Sequence, residues 1–242
     1  MRGAFKYCIL ICMLMVQEVK PNVIKDSVVV INAGINGNNT ADLLSRVDKD
    51  VLKSSPDLVI LMVGTNDMLN ERNRLNLTEY KNRYQQLINT IKNKSALVLM
   101  TIPPVYSPYI IARQPKTMYS VKGPQSLVDS ANKIIKQLAV KNKCLLIDLN
   151  QILTACGGAG PEKDNLFQNE ANSGINDGVH PTVNGYRVIG TAVYQFVNLL
   201  KPLNKTIVCF GDSITYGYKM DGQGTVNGNS YPAVLKRLLD TQ

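Results

Sequence analysis

The chain has 242 residues, of which 45% are hydrophobic and 19% are charged, and no Pro/Ser/Gly-rich linker divides it. This length allows one large domain or two small ones, and the lack of a linker favours one compact domain. The net charge is +9, but the lysines are spread singly over predicted helix faces with few aromatic neighbours, which favours solvated surface over nucleic-acid binding. A weak attraction to acidic polysaccharide or membrane surfaces stays open. The five cysteines are odd in number and lack metal-ligand spacing, so no disulfide framework is indicated.

Residues 1–22 differ from the rest of the chain. Arg2 and Lys6 precede the apolar stretch 7–16. This stretch is too short to span a bilayer as a helix but has the length of the apolar part of a secretory signal. No small-x-small cleavage site follows it. Two interpretations therefore stay open: a signal peptide of a secreted or periplasmic protein, or an extra structural segment of a cytoplasmic one.

From residue 23 onward, short apolar runs alternate with segments of helical periodicity. The apolar runs predict five strands that are buried on both faces: 28–32, 58–63, 97–101, 145–149 and 206–210. In the first helical segment Leu43, Val47 and Val51 share one face, and Thr40 is the predicted N-cap. Further apolar stripes lie within 80–91, 127–138, 186–200 and 235–239. Such alternation predicts a single α/β domain over 23–242, with a parallel sheet covered on both faces.

Three stretches rich in turn residues are predicted to be long loops: 103–126, 150–176 and 216–230. Each of them follows a predicted strand. In an open α/β sheet, ligands bind at the carboxyl ends of the strands. We therefore expect these loops to shape a binding site.

Residues near these strand ends suit ester hydrolysis, which needs a nucleophile, a base and a group that orients the base. Ser213, in Phe-Gly-Asp-Ser-Ile-Thr-Tyr-Gly, is the candidate nucleophile. His180 is the only histidine of the chain and the candidate base, and Asp177 in the same Asp-Gly-Val-His-Pro segment is the candidate orienter. Taken singly, a serine after Gly-Asp is more often a turn or a helix cap, and a lone histidine is more often a surface residue. Finding the one histidine in this segment favours catalysis.

Three groups are candidates for stabilising the oxyanion that forms during ester cleavage. They are the backbone N–H of Ser213, the side-chain amide of Asn66 and the backbone N–H of Gly37. Each such donor typically lowers the barrier by about 3 kcal/mol. Asn66 and Gly37 can also be ordinary turn residues, and Gly34 competes with Gly37 for this role.

Together these segments resemble the sequence blocks of the SGNH (GDSL-like) hydrolases: Gly211-Asp212-Ser213, Gly37, Gly64-Thr65-Asn66-Asp67, and Asp177 with His180. The resemblance extends from about residue 23 to the end of the chain. It implies a flavodoxin-like, three-layer α/β/α fold with a central five-stranded parallel sheet. It also implies a Ser–His–Asp triad and an oxyanion hole formed by the Ser, Gly and Asn of these blocks.

The order of the blocks departs from that of the family, in which the serine block comes first. Here it comes last, which predicts a circularly permuted domain; a tandem protein divided within a domain would give the same order. The permuted chain is geometrically feasible, because a helix over 183–200 that starts near His180 ends at the opposite edge of the sheet, where strand 206–210 must begin. That strand is then expected to lie between strands 28–32 and 58–63.

The sequence therefore predicts a serine esterase that needs no cofactor and no metal. Its polar loops have few large apolar side chains, which favours a small acyl group, acetyl, on a polar or carbohydrate alcohol. A lipolytic enzyme of the lysophospholipase or thioesterase type is one alternative, and a non-catalytic glycan-binding module from a truncated tandem protein is another. Loop 221–229 has a passing likeness to a cation-binding loop but lacks the closing glutamate. We expect neither a nucleic-acid partner nor stable insertion into a membrane.

Overall fold

Five parallel strands form one sheet in the computed structural model, which describes residues 28–114, 116–119, 121–200 and 206–241. The strands are β1 (Val29–Gly34), β2 (Leu58–Met62), β3 (Ala96–Met100), β4 (Leu145–Ile147) and β5 (Thr206–Gly211). Strands of a parallel sheet are apolar along their length because helices cover both faces, and every residue of β2 is accordingly buried. The predicted parallel α/β sheet is confirmed.

The last strand in the sequence lies in the interior of the sheet, whose spatial order is β1-β5-β2-β3-β4. Cys209 of β5 lies opposite Asn32 of β1 on one side and opposite Ile60 of β2 on the other. This confirms the predicted position of strand 206–210. Counted from β5, the spatial order becomes 2-1-3-4-5, which is the order of flavodoxin-like sheets.

Ten helices lie in the described residues: α1 (Thr40–Asp50), α2 (Thr65–Leu69), α3 (Leu77–Lys92), α4 (Ser107–Ala112), α5 (Pro124–Lys141), α6 (Leu149–Ala155), α7 (Glu170–Ser173), α8 (Val183–Asn198), α9 (Ser213–Tyr216) and α10 (Tyr231–Asp240). Helices α1, α3 and α5 pack side by side, and α8 packs on α10. With this strand order, right-handed crossovers put the two groups on opposite faces of the sheet. The predicted apolar stripe of α3 faces the core, since all five of its residues are buried: Tyr80, Tyr84, Leu87, Ile88 and Ile91.

The predicted cap of α1 is wrong by one residue. The N-cap is Asn39, whose side chain accepts hydrogen bonds from the N–H groups of Ala41 and Asp42. Asp42 completes a capping box by accepting from the Asn39 N–H at 2.9 Å. Thr40 is the first helical residue, and its buried hydroxyl donates to Asp67 at 2.5 Å. Both residue types can cap a helix, and only this tertiary contact distinguishes them.

Two of the three predicted loops contain helices. Stretch 103–126 holds α4 and the start of α5, each with a proline in its first turn. Stretch 150–176 holds most of α6 and all of α7, which are capped by the side chains of Asp148 and Asn169. The cap at Asp148 also ends β4 at Ile147, earlier than predicted. Helices α4, α6 and α7 are too short for apolar periodicity to reveal them.

The cysteines within the described residues are free thiols: Cys144, Cys156 and Cys209. The described helices include none that is both long enough and apolar enough to cross a membrane. Segment 1–22, with its two interpretations, lies outside the described residues.

Candidate active site

Ser213 lies at the sharp turn between β5 and α9. Asp212 caps α9 by accepting a hydrogen bond from the N–H of Ile214 at 3.0 Å. A Cβ at Gly211 would meet the carbonyl oxygen of Met62 at 2.4 Å, so glycine is needed where the strand turns beside β2. Ser213 is only 5% exposed, and it borders a cleft. Its hydroxyl is therefore held on a rigid turn at the carboxyl edge of the sheet.

Ser213, His180 and Asp177 form one continuous line of contacts. Nε2 of His180 lies 2.9 Å from Oγ of Ser213. On the other side of the ring, Nδ1 lies 3.0 Å and 2.9 Å from the two carboxylate oxygens of Asp177. An ionised carboxylate can only accept hydrogen bonds, so Nδ1 carries a proton and Nε2 of the neutral ring is free to accept the hydroxyl proton. The structure thus brings the three predicted residues together.

The short loop that carries His180 is held by the side chain of Asp177 and by the backbone of Gln168. Oδ1 of Asp177 accepts the N–H groups of Val179 at 2.9 Å and His180 at 2.7 Å. Gln168 binds the loop from outside, because its N–H donates to the His180 carbonyl at 2.8 Å and its carbonyl accepts from Gly178 at 2.9 Å. Gly178 has a φ of +70°, in the left-handed region that favours glycine. The imidazole therefore has little freedom to leave its position.

The pKa of Asp177 determines the charge beside the imidazole. Burial alone would raise this pKa, but the hydrogen bond and the charge of His180, with the backbone N–H bonds, outweigh burial and lower the pKa to about 2. The carboxylate is therefore charged across the neutral and mildly acidic range. It can stabilise an imidazolium when His180 takes up a proton.

Two of the three predicted oxyanion donors, Ser213 and Asn66, border one cleft, and Asn66 bonds the residue that follows Gly37. Gly37 occupies a turn with a φ of +78°, and an added Cβ would meet nothing within 4 Å. No described residue accepts a hydrogen bond from the N–H of Gly37 or of Ser213. Asn66 borders the same cleft as Ser213, and its Nδ2 donates to the carbonyl of Asn38 at 2.9 Å. This bond places the turn of Gly37 beside Asn66 and leaves the second amide hydrogen for a ligand.

Gly34, the competitor of Gly37, has a different position. Its N–H donates to Oδ1 of Asn32 at 3.0 Å. A Cβ at Gly34 would lie 2.2 Å from the backbone nitrogen of Tyr216. Gly34 therefore allows β1 to approach the backbone of α9 closely, and its N–H is already bonded.

A buried carboxylate braces this region, and the sequence analysis gave it no role. Asp67 is fully buried and accepts hydrogen bonds from the N–H of Thr40 at 3.1 Å and 3.2 Å and from its hydroxyl at 2.5 Å. Burial raises the pKa of Asp67 to about 6 in spite of these bonds. The bonds tie the helix that carries Asn66 to the start of α1. In the sequence, the position of Asp67 directly after Asn66 in the Gly64–Asp67 block is the one sign that it belongs to the site.

Arg46 of α1 forms a second brace that the sequence analysis missed. It makes three hydrogen bonds at the sheet edge: Nη1 to the carbonyl of Ala33 at 3.0 Å, Nη2 to the carbonyl of Gly211 at 2.9 Å, and Nε to Oδ1 of Asn38 at 2.7 Å. These bonds join the ends of β1 and β5 to the turn that follows Gly37. In the sequence Arg46 adjoins the apolar stripe of α1, and helical spacing alone does not separate it from a solvated arginine.

Two clefts border the histidine. The serine cleft, of about 230 Å³, is lined by Ser213, Asn66 and His180 with several apolar side chains, among them Leu69, Ile110 and Val179. The tyrosine cleft, of about 390 Å³, is lined by His180, Tyr218 and Lys219 but not by the serine. The ring centroids of Tyr218 and His180 are 4.7 Å apart. Nowhere in the described residues, loop 221–229 included, do three His, Cys, Asp or Glu side chains form a group that could hold a metal ion.

Comparison with known proteins places the chain in a family. Residues 17–188 match the GDSL-like lipase/acylhydrolase family. The chain is 26% identical over 172 residues to an acetylxylan esterase of Geobacillus stearothermophilus, covering 67% of this chain and 69% of that protein. A solved lipase/acylhydrolase from Enterococcus faecalis shares the fold with a TM-score of 0.54 at 23% identity, over 69% of this chain and 74% of its own. A solved acetyl xylan esterase does so with a TM-score of 0.52 at 24% identity, over 68% and 79%. The chain belongs to the GDSL-like lipase/acylhydrolase family and is a carboxylic ester hydrolase.

Proposed function

We propose that this hydrolase is a serine esterase with Ser213 as nucleophile, His180 as base and Asp177 as the group that orients the base. The contact line from Oγ through the imidazole to the carboxylate, with a distance of 2.9 Å between Oγ and Nε2, carries the proposal. Hydrogen bonds of this length allow proton transfer between nucleophile and base.

In the first half of the reaction, Oγ of Ser213 attacks the ester carbonyl carbon while Nε2 of His180 takes the hydroxyl proton. The bond between the carbonyl carbon and the alcohol oxygen then breaks, and the imidazolium returns the proton to that oxygen. The alcohol leaves and the acyl group stays on Ser213. Asp177 remains a carboxylate throughout, because its pKa is about 2.

In the second half, water attacks the acyl carbon while His180 removes a proton from the water. Collapse of the tetrahedral intermediate transfers that proton to Oγ, which restores Ser213 and releases the carboxylic acid. In both halves the negative oxygen is held by the N–H groups of Ser213 and Gly37 and by the Asn66 amide. The bond from Asn66 to Asn38 fixes this amide before the substrate arrives, which favours stabilisation of the transition state.

A small acyl group suits the serine cleft. Its volume of about 230 Å³ lies below the range of roughly 300–1,000 Å³ that is usual for pockets of larger ligands. Its apolar walls are interrupted by polar side chains such as Arg113 and Gln114, which disfavours a long acyl chain. With the likeness to an acetylxylan esterase, this supports an acetyl ester of a polar or carbohydrate alcohol. Rates on p-nitrophenyl acetate, butyrate and octanoate separate the alternatives, since a rise toward octanoate would favour the lipolytic enzyme.

We also propose that the blocks are circularly permuted relative to the family. The family match ends at residue 188, so it includes Gly37, Asn66 and His180 and leaves Ser213 outside. Strand β5, which leads into the turn of Ser213, nevertheless lies between β1 and β2. The sheet has the flavodoxin-like strand order only when β5 is counted as the first strand. This supports a permuted chain.

The esterase proposal is tested by hydrolysis of p-nitrophenyl acetate. We expect the parent to be active and Ser213→Ala to lose about 10⁴- to 10⁶-fold in kcat, because removal of a triad nucleophile costs about this much in serine hydrolases. Ser126→Ala, on an exposed position of α5, serves as the matched control and should keep the parent rate. Circular dichroism checks that all three proteins are folded. A folded but inactive parent would contradict the proposal and favour the glycan-binding module.

A further inference from the structure

Two larger clefts continue from the serine cleft. Arg113 and His180 line both the serine cleft and the tyrosine cleft. Ile175 and Lys219 line both the tyrosine cleft and a third cleft of about 640 Å³, the distal cleft. Neighbouring clefts thus share wall residues, and we refer to the three together as the groove beside the histidine.

The position of His180 assigns a part of the ester to each side of this groove. The acyl carbonyl must lie against Ser213 and Asn66, which both border the serine cleft. The leaving alcohol oxygen must receive a proton from His180, so the alcohol extends toward the tyrosine cleft, which His180 borders and Ser213 does not. The tyrosine and distal clefts therefore lie on the alcohol side.

The alcohol side is lined by an excess of positive charge. Its cationic residues are Arg113, Lys163, Arg187 and Lys219. Within the part of the chain that the structure describes, none of the four forms an ion pair with a carboxylate. Two aspartates also line these clefts. Asp177 is hydrogen-bonded to His180, so Asp164 is the one carboxylate of the lining that is left to offset the four cations. Such a lining attracts a ligand that carries negative charge.

Lys219 occupies the border between the tyrosine and distal clefts in an unusual backbone conformation. Its φ is +62°, a region that residues with a side chain rarely adopt. Its N–H is held by Oε1 of Gln223 at 3.1 Å, and the N–H of the preceding Tyr218 donates to the Ser213 carbonyl at 3.0 Å. The ammonium lies 5.4 Å from the Tyr218 ring centroid. The backbone of Lys219 is thus fixed relative to the nucleophile turn, and its side chain is exposed to a ligand.

The remaining polar lining of the distal cleft consists of amide and hydroxyl side chains: Asn165, Gln168, Asn172, Ser173, Thr182 and Asn184. Several of these groups bond within the protein, as Asn172 Nδ2 does to the carbonyls of Asn165 and Phe167, and their remaining donor and acceptor positions match hydroxyls. A lining of this kind offers little to an acyl chain. We propose, on the basis of the esterase function above, that the alcohol is an oligosaccharide bearing carboxylates, such as a chain of uronic acids, and that Lys219 binds one of these carboxylates. A chain of this kind supplies the hydroxyls that fit the amides and the charges that fit the cations.

The test compares two substrates that carry the same acetyl groups and differ in the charge of their carboxyl groups. Acetylated trigalacturonic acid is used either with free carboxylates or after its carboxyl groups have been converted to methyl esters. The measured quantity is kcat/KM for acetate release. We expect the parent to prefer the acidic form by about tenfold at low salt, because a charge-assisted contact forms with only one of the two. The preference should shrink as ionic strength rises.

Variants assign the preference to one residue. Lys219→Met should bring the ratio of the two kcat/KM values close to one. Lys219→Gly should do the same, and glycine readily adopts the φ of this position, so folding is preserved. Lys133→Met makes the same change of net charge on an exposed position of α5, away from the groove, and should leave the ratio at the parent value.

The outcomes separate the two proposals. A parent that hydrolyses p-nitrophenyl acetate but treats both oligosaccharides alike would overturn the acidic alcohol. A ratio unchanged by both Lys219 variants, or lowered equally by Lys133→Met, would overturn the role of Lys219. Faster release from a lysophospholipid than from either oligosaccharide would assign the groove to a lipid headgroup instead. A folded parent that is inactive on p-nitrophenyl acetate would overturn the esterase function itself.

Discussion

The candidate catalytic centre and the groove beside it are built in different ways. Ser213, Gly37 and Asn66 lie on short connections after β5, β1 and β2, and buried charged side chains bind these connections to one another. The distal cleft is formed by the stretches around α7 and after α9 and by the start of α8, and its cations pair with no carboxylate in the described residues. The difference indicates that side-chain bonds fix the geometry of the centre, whereas the cations of the groove are available to a ligand. Changes at the centre should lower kcat, whereas changes in the groove should alter the choice of ester.

Among the changes that test the distinction between the centre and the groove, the largest loss of kcat is expected at Asn66. Asn66→Ala removes a donor to the oxyanion and should lower kcat on p-nitrophenyl acetate by about 10²- to 10³-fold, with little change in KM. Asn93→Ala changes the same residue type at an exposed helix end and should match the parent. A raised KM with an unchanged kcat would show that Asn66 binds the ground state only, and the distinction between centre and groove would fail there.

An intermediate effect is expected at Arg46, which we place as a positioning residue. Arg46→Met keeps an apolar side chain near Phe210, over whose ring the guanidinium lies at 4.6 Å, but removes the bonds to the ends of β1 and β5. We expect kcat to fall about 10- to 100-fold through misplacement of the nucleophile turn, with KM nearly unchanged.

The same substitution should lower the free energy of unfolding by about 3 kcal/mol, because it leaves Asp50 without its ion-pair partner and takes one hydrogen bond from each of the carbonyls of Ala33 and Gly211. Urea unfolding and steady-state kinetics measure the two effects separately. Arg46→Lys keeps the charge and should recover part of the stability. If stability falls in Arg46→Met while kcat stays at the parent value, Arg46 supports the fold and does not position Ser213.

Removing the charge of Asp212 is expected to have the smallest effect on activity. It should have a clear effect on how the free energy of unfolding depends on pH. Burial raises the pKa of Asp212 to about 6, although Ile214 donates a hydrogen bond to it. Between about pH 4 and pH 6 the folded protein therefore holds a proton on this group that the unfolded chain has released, so this group's contribution to stability falls as the pH rises through that window.

Asp212→Asn removes this dependence and keeps the Oδ1 acceptor for α9. The parent should lose about 3 kcal/mol more stability than the variant between pH 4 and pH 8. Urea unfolding at pH 4, 6 and 8 measures the difference. Parallel curves for the two proteins would show that Asp212 has a similar pKa in the folded and unfolded states.

The sequence predicts the sheet and the residues at its edge because both have local signals. Buried parallel strands are continuous apolar runs, and Ser213 directly follows one of them. The braces have no local signal, since the bond from Arg46 to Gly211 joins residues 165 positions apart. The choice between Asn39 and Thr40 as helix cap likewise depends on Asp67, a distant partner. The groove depends on how stretches 150–176 and 216–230 fold, and their short helices and turns leave no periodic pattern.

The central claim is that Ser213, which lies outside the family match at 17–188, is the nucleophile of a site whose other members lie within that match. A fluorophosphonate probe, which forms a covalent bond with activated serines, followed by peptide mass spectrometry tests this directly. The predicted result is a single adduct, on the peptide that contains Ser213, which is lost in His180→Ala. An adduct on another serine, or ester hydrolysis that continues while Ser213 is fully labelled, would contradict the claim.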